Sequence, residues 1–153
     1  MGRLIVIRHA EAGERKRWSG DDRLRPLTSE GFRQAEGLVE ILAPIDLTEI
    51  RSSPYVRCRQ TVEPLARLRS LPIVDEPDLA EGGSLEPLLD RAALTDGGSW
   101  AACTHGDVLE EVLRHLPGGY EGDEEPGHAK GGSWVLDVER SGITAARYLP
   151  PPG

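Results

Sequence analysis

The stretch Arg3-Leu4-Ile5-Val6-Ile7, closed by Arg8-His9, constrains the fold of this chain more than any other segment. An apolar, mostly β-branched run without polar alternation reads as a strand buried on both faces, and such strands belong to parallel sheets covered by helices. Further short strands are expected at 49–52, 73–75 and 100–104. Helical segments fall between them. Thr28 is placed to cap a helix reaching residue 42, with Phe32, Ala35, Leu38, Val39 and Leu42 on its buried face and Pro44 closing it. Pro54 is placed to open a second helix to residue 69, buried through Cys58, Val62, Leu65 and Leu68 and kinked or split by Pro64. Two more helices are expected at 85–94 and 107–116, and a final strand pair at 133–138 and 143–149 turned by Ser141-Gly142. This alternation predicts one α/β domain over 1–149, a three-layer α/β/α sandwich with a mostly parallel central sheet, followed by a short tail at 150–153.

Ligands of such sheets bind beyond the carboxyl ends of the strands. Arg8 and His9 follow the first strand, Ser52, Ser53 and Arg57 the second, and Thr104, His105 and Gly106 the fourth. Imidazole is a nucleophile that is neutral near physiological pH, and arginine presents a planar fork of donors to phosphate oxygens. Two histidines and two arginines at one sheet edge would make a phosphoryl-transfer site with no need of a metal or other cofactor. His115 and His128 read as an ordinary helix histidine and an ordinary loop histidine.

Charge sharpens this picture. The net charge is −8, yet residues 1–25 carry +3 and residues 51–69 carry +4. Such a balance disfavours nucleic acid as a partner and suits a small anionic ligand held in one focused site. No apolar run approaches the length of a membrane span, no export segment is seen, and two cysteines make no disulfide framework, so a cytoplasmic protein is expected. The polar segment 11–26 is long for a loop in a compact domain, which marks it as functional. Within it, Arg15-Lys16-Arg17-Trp18 has two readings: a loop beside the site that takes a second phosphate or stacks a base on Trp18, or an exposed basic loop with Trp18 packed on the body. The glycine-rich, acidic connection 117–132 reads as a mobile loop, and the repeated Gly-Gly-Ser-Trp as a reused turn.

Other chemistries find no support. Neither Cys58 nor Cys103 has an arginine six positions later, and there is no phosphate-binding Gly-Lys-Ser/Thr loop and no His-Glu-x-x-His. Asp21-Asp22 and Glu124-Glu125 read as solvated surface rather than a cation site.

The blocks 4–12, Arg25-Pro26-Leu27-Thr28 with Gly31 and Gln34-Ala35, Ser52 through Arg57 with Gln60-Thr61, and Thr104-His105-Gly106 resemble, in order, those of the histidine phosphatase superfamily. That superfamily includes phosphoglycerate mutases and SixA-type phosphohistidine phosphatases. Segments 8–22, 57–66 and 132–136 look closest to the phosphatase domain that follows a MutT-type Nudix domain in some actinobacterial oxidised-nucleotide hydrolases. No Nudix box is present, which leaves a separate Nudix-type partner open.

The resemblance implies a phosphoglycerate mutase-like fold. It implies His9 as the nucleophile that becomes phosphorylated, Arg8 and Arg57 as ligands of the phosphoryl oxygens, and His105 as a stabiliser of the transferring group. Glu81 fills the place of the general acid, with Glu76, Asp78 and Glu86 as neighbouring alternatives. Arg15, Lys16, Arg17, Trp18 and Thr104 are the substrate-binding candidates. Ala10 replaces the usual glycine, and no Trp-Glu-Gly follows Glu81, which argues against mutase activity. The expected function is metal-independent hydrolysis of a phosphomonoester or terminal nucleotide phosphate through a phosphohistidine. The alternatives are a protein phosphohistidine phosphatase and a catalytically silent phosphate-binding regulatory module.

Overall fold

The structure is a computed structural model and describes residues 1–95, 97–116 and 127–153. Most of the connection expected to be mobile, including Glu124 and Glu125, lies outside the described residues. Six strands form one sheet in the order β3-β2-β4-β1-β5-β6. They are β1 (Gly2–Arg8), β2 (Glu49–Ser52), β3 (Ile73–Asp75), β4 (Ser99–Thr104), β5 (Ser133–Glu139) and β6 (Gly142–Leu149). The first four run parallel, whereas β5 joins β1 antiparallel and β6 joins β5 antiparallel. The helices are α1 (Ser29–Ile41), α2 (Val56–Arg69), α3 (Glu86–Leu94) and α4 (Gly106–Leu113).

Leu4 through Ile7 are wholly buried, which is why this strand is continuous in its apolar character. The pleat sends Leu4 and Val6 into the core under α3 and α4, and Ile5 and Ile7 into the core under α1 and α2. Trp100 and Ala102 of β4 join the first core, Ala101 and Cys103 the second. Three layers follow directly. Truncating Leu4, Ile5 or Ile7 to alanine is expected to cost about 2–5 kcal/mol.

Thr28 caps α1 by accepting the Gly31 N–H at 3.1 Å. Phe32, however, is exposed, because the helix turns Gly31 to the body instead. A Cβ at Gly31 would overlap the Glu11 carbonyl, so only glycine allows α1 to sit this close to the loop after β1. The second helix opens at Val56 rather than Pro54, since Ser53 Oγ accepts the Tyr55 N–H and holds the entry extended. It runs through Pro64 without interruption; Cys58 and Val62 before the proline and Leu65 and Ala66 after it are all packed in the core. Leu68 lies off that stripe and is exposed. At the other end of the chain, β6 finishes at Leu149 and Pro152 packs on Gly37 of α1.

Candidate active site

The register of the parallel strands brings their carboxyl ends level. Arg8 pairs with Thr104, and Ser52 with Cys103 and Asp75. Pairing extends one residue further: the His9 N–H donates to the Thr104 carbonyl at 3.0 Å, and the Ser53 N–H to the Cys103 carbonyl at 2.9 Å. Backbone hydrogen bonds therefore fix His9, Ser53 and His105 at one edge, where a cleft of about 900 Å³ opens.

His9 is 5% exposed, and its Nδ1 lies 2.8 Å from the Ala10 carbonyl. A carbonyl only accepts, so Nδ1 carries the proton and Nε2 keeps the lone pair. Burial drives the His9 pKa down to about 3, against the opposing pull of the Ala10 carbonyl and with help from the charges of His105, Arg57 and Arg8. The result is a neutral imidazole with one free nucleophilic nitrogen.

His105 sits edge-on to it, ring centroids 5.4 Å apart. Its Nε2 is 2.9 Å from Ser53 Oγ and 3.6 Å from Cys58 Sγ. Ser53 Oγ accepts the Tyr55 N–H and keeps a proton to donate to His105 Nε2, while the Glu81 carboxylate faces His105 Nδ1. This network assigns the His105 proton to Nδ1. Buried Nδ1 has no hydrogen-bond partner and stands 3.7 Å from Glu81 Oε1. The Tyr55 ring packs on His105 at 4.6 Å and under the Arg57 guanidinium at 4.9 Å.

Arg57 enters from the first turn of α2 and is wholly buried. Its Nη1 donates to the Asp22 carbonyl at 2.8 Å, and its Nη2 to Asp22 Oδ2 at 3.1 Å and Glu81 Oε1 at 2.7 Å; Nε has no partner among the described residues. A buried guanidinium needs such carboxylates to offset its desolvation. Asp22 also pairs with Arg25 at 2.9 Å, and these arginines hold its carboxyl below the usual carboxylate range despite partial burial, which acts the other way. Arg8 donates to the His128 carbonyl at 2.6 Å, and its guanidinium lies on Gly106, the first residue of α4. A Cβ there would come within 2.8 Å of Arg8 Cζ, which accounts for the glycine.

Arg8, His9, Arg57, His105 and Glu81 all line the cleft, and so do Arg15 and Lys16. Glu76, Asp78 and Glu86 do not: Glu76 is held by Arg51 and Arg91, while Asp78 and Glu86 face solvent. Three substrate-binding candidates stand apart from the cleft lining. Arg17 points to Glu14 at 3.4 Å, and the Trp18 indole donates to the Asp21 carbonyl at 2.9 Å. Thr104 is fully buried and donates to the Leu79 carbonyl at 2.6 Å, anchoring the segment that carries Glu81.

The sequence reading assigned no site role to Asp22, Tyr55, His128 or Lys130, and placed Ser53 at the sheet edge without one. Ser53 and Tyr55 lie in a block whose order was visible, but their contacts with His105 depend on how α2 begins. The remaining block residues fasten the long loop: Gln34 accepts the Glu11 N–H, Gln60 the Leu27 N–H and Thr61 the Ala10 N–H, while Arg25 donates to the carbonyls of Ala12 and Gly13. Among the described residues no group of three or more His, Cys, Asp or Glu side chains could hold a metal ion.

Comparison with known proteins agrees with this fold. The model of the histidine phosphatase superfamily (branch 1) matches residues 4–95. An 8-oxo-(d)GTP phosphatase of Mycolicibacterium smegmatis is 36% identical over 97% of this chain, which spans 48% of that protein's length. The protein histidine phosphatase SixA complexed with tungstate superposes with a TM-score of 0.76 at 19% identity, covering 99% of this chain and 96% of SixA. A protein of Agrobacterium tumefaciens described as a phosphohistidine phosphatase, SixA, gives 0.75 at 26% identity, with 98% of each chain covered. With its sheet, its paired histidines and its ordered blocks, this chain belongs to the histidine phosphatase superfamily, branch 1.

Proposed function

We propose that this phosphatase hydrolyses a phosphomonoester or a terminal nucleotide phosphate through a phosphohistidine on His9, without a metal ion. The observation that carries the reading is the hydrogen bond from His9 Nδ1 to the Ala10 carbonyl, which leaves Nε2 unprotonated in a cleft lined by Arg8, Arg57 and His105. Nε2 attacks phosphorus and the bond to the leaving oxygen breaks. That oxygen takes a proton from the Glu81 carboxyl. Water then attacks the phosphohistidine, gives a proton to Glu81, and returns the P–N electron pair to Nε2 as phosphate departs.

The unpartnered Nε of Arg57 and Nδ1 of His105 are buried donors awaiting acceptors, and phosphoryl oxygens supply them. In the resting protein Glu81 and Asp22 occupy the other donors of Arg57. A bound phosphoryl group competes for those donors and releases Glu81 for proton transfer. The cations and imidazoles already supply the charge stabilisation a metal would otherwise give.

A nucleotide is the first substrate class, supported by the Mycolicibacterium smegmatis relative and by a cleft large enough for one. A protein phosphohistidine is the second, supported by the SixA-like chain of Agrobacterium tumefaciens. A silent module is disfavoured, because Arg8, His9, Arg57 and His105 are all present.

Quenching during turnover of labelled p-nitrophenyl phosphate, with chelator present, should trap a base-stable, acid-labile phosphoenzyme that His9→Ala abolishes. A folded His9→Ala protein turning over at the parent rate would reject the mechanism, and a strict need for added divalent ion would reject metal independence.

A further inference from the structure

Two lysines of this chain line the same cleft, and they come from segments far apart in sequence. Lys16 lies in the short 3₁₀ turn Arg15–Arg17, held over the site because Arg15 pairs with Glu81 at 2.5 Å. Among the described residues Lys16 has no carboxylate partner. Lys130 precedes β5 and is pinned beside the nucleophile. The Gly131 N–H donates to both the Arg8 and His9 carbonyls, at 3.1 and 3.2 Å, and Gln34 reaches the Lys130 carbonyl at 3.5 Å.

Glu11 joins the two segments. Its Oε1 accepts the Gly13 N–H at 3.1 Å and meets Lys130 Nζ at 3.4 Å. The second distance is long for a hydrogen bond, so most donor capacity of the ammonium remains open to an incoming anion. The carboxylates that do line the cleft are engaged elsewhere: Glu81 with Arg57 and Arg15, Glu14 with Arg17, and Asp107 with the Gly82 N–H. Among the described residues Glu110 of α4 is the remaining one. Among the described residues, arginines and lysines outnumber carboxylates on the cleft walls six to four, in a chain whose net charge is −8. One transferred phosphoryl group is already served by Arg8, Arg57 and the two histidines, which makes the lysines surplus for a simple monoester.

We propose that Lys16 and Lys130 form a second anion subsite that takes the phosphate adjoining the one transferred to His9. The substrate class is then a compound with two neighbouring phosphates, such as a nucleoside diphosphate, rather than a singly phosphorylated imidazole of a protein. This rests on the reading of His9 as nucleophile.

The test compares kcat/KM for GDP with that for GMP in the parent, in Lys16→Met/Lys130→Met and in Arg17→Met, whose side chain lies outside the cleft. The parent should prefer GDP, and the double variant should lose at least about tenfold of that preference, the size of one charge-assisted contact. Arg17→Met should keep it. Lys16→Met alone, on an exposed turn, carries the test should the double variant fail to fold, and should lose several-fold. No preference for GDP in the parent, retention of it in the lysine variants, or an equal loss in Arg17→Met would overturn the subsite. Phosphoenzyme formation from p-nitrophenyl phosphate separates the two readings: its absence in the parent rejects His9 as nucleophile, whereas its presence without a GDP preference rejects the subsite alone.

Discussion

On the floor of the cleft, His9, Arg57 and His105 are 5%, 0% and 1% exposed, each set at a strand end or first helical turn; buried neighbours hold the two histidines, and the half-buried Asp22 and Glu81 hold Arg57. On the wall, Arg15 and Lys16 are exposed and are held chiefly by the ion pair of Arg15 with Glu81. The floor is built before any ligand arrives, so its geometry serves chemistry. The wall is held by contacts that solvent and salt weaken, so its arrangement serves selection among ligands.

Substitutions on the floor should therefore act on every substrate, and those on the wall on some. The largest effect is expected for Arg57→Met, which leaves Asp22 and Glu81 without their buried cation. Turnover should fall by about 10²–10³ on any phosphomonoester, the range for losing a transition-state donor. A similar loss confined to nucleotides would dissolve the distinction between floor and wall. Gly106→Ala comes next, since its methyl group would push on the Arg8 guanidinium. A loss of roughly tenfold or more in kcat/KM is expected from such a displacement, measured with an aryl phosphate beside a thermal melt showing the protein folded.

Ser53→Ala should lower kcat several-fold with little change in KM. Nitrogen NMR of His105 gives the decisive readout: Nδ1–H in the parent and a mixture of tautomers in the variant. A parent protein with its proton on Nε2 would refute the assignment. The smallest effects belong to Arg17→Ala and Trp18→Phe, which should stay within about twofold on all substrates, as expected for positions away from the cleft.

Acidity probes the floor from another side. In the unfolded chain His9 takes up a proton near pH 6.5, as free imidazole does, whereas in the folded protein it does so only at about 3. Its contribution to stability is complete above 6.5 and is lost as pH falls toward 3, at up to about 1.4 kcal/mol per pH unit. Denaturant melts across this window should show that slope, and His9→Gln should flatten it. The His9 ring resonances should not titrate between pH 5 and 8; a midpoint in that range would show that the floor is wetter than its burial implies.

The floor was also the part most legible in the sequence. Strand ends are marked by where apolar runs stop, and register is backbone geometry, so Arg8, His9 and His105 could be placed from periodicity alone. Wall and supports depend on side-chain directions that tertiary contacts decide. Arg17 and Trp18 adjoin Lys16, yet the 3₁₀ turn sends them to Glu14 and Asp21 instead. Asp22 read as surface because nothing local reveals that Arg57 arrives from another helix. Phe32 and Leu68 have suitable chemistry at the margins of their stripes, but Gly31 and the line through Leu65 set which way each helix faces. Pro64 was expected to kink or split α2, and the packing around it carried the helix through unsplit.

The place of β1 in the sheet has a consequence for how activity is acquired. Both of its hydrogen-bonded neighbours, β4 at residues 99–104 and β5 at residues 133–139, come much later in the chain. Contacts so distant in sequence form slowly. Within this domain His9 is therefore synthesised ahead of His105, the backbone clamp of Gly131 and the carbonyl that holds Arg8, and lacks all three until β5 has formed. On the proposed mechanism His9 stays an idle imidazole in the growing domain, and the site is complete only when β4 and β5 have closed on either side of β1.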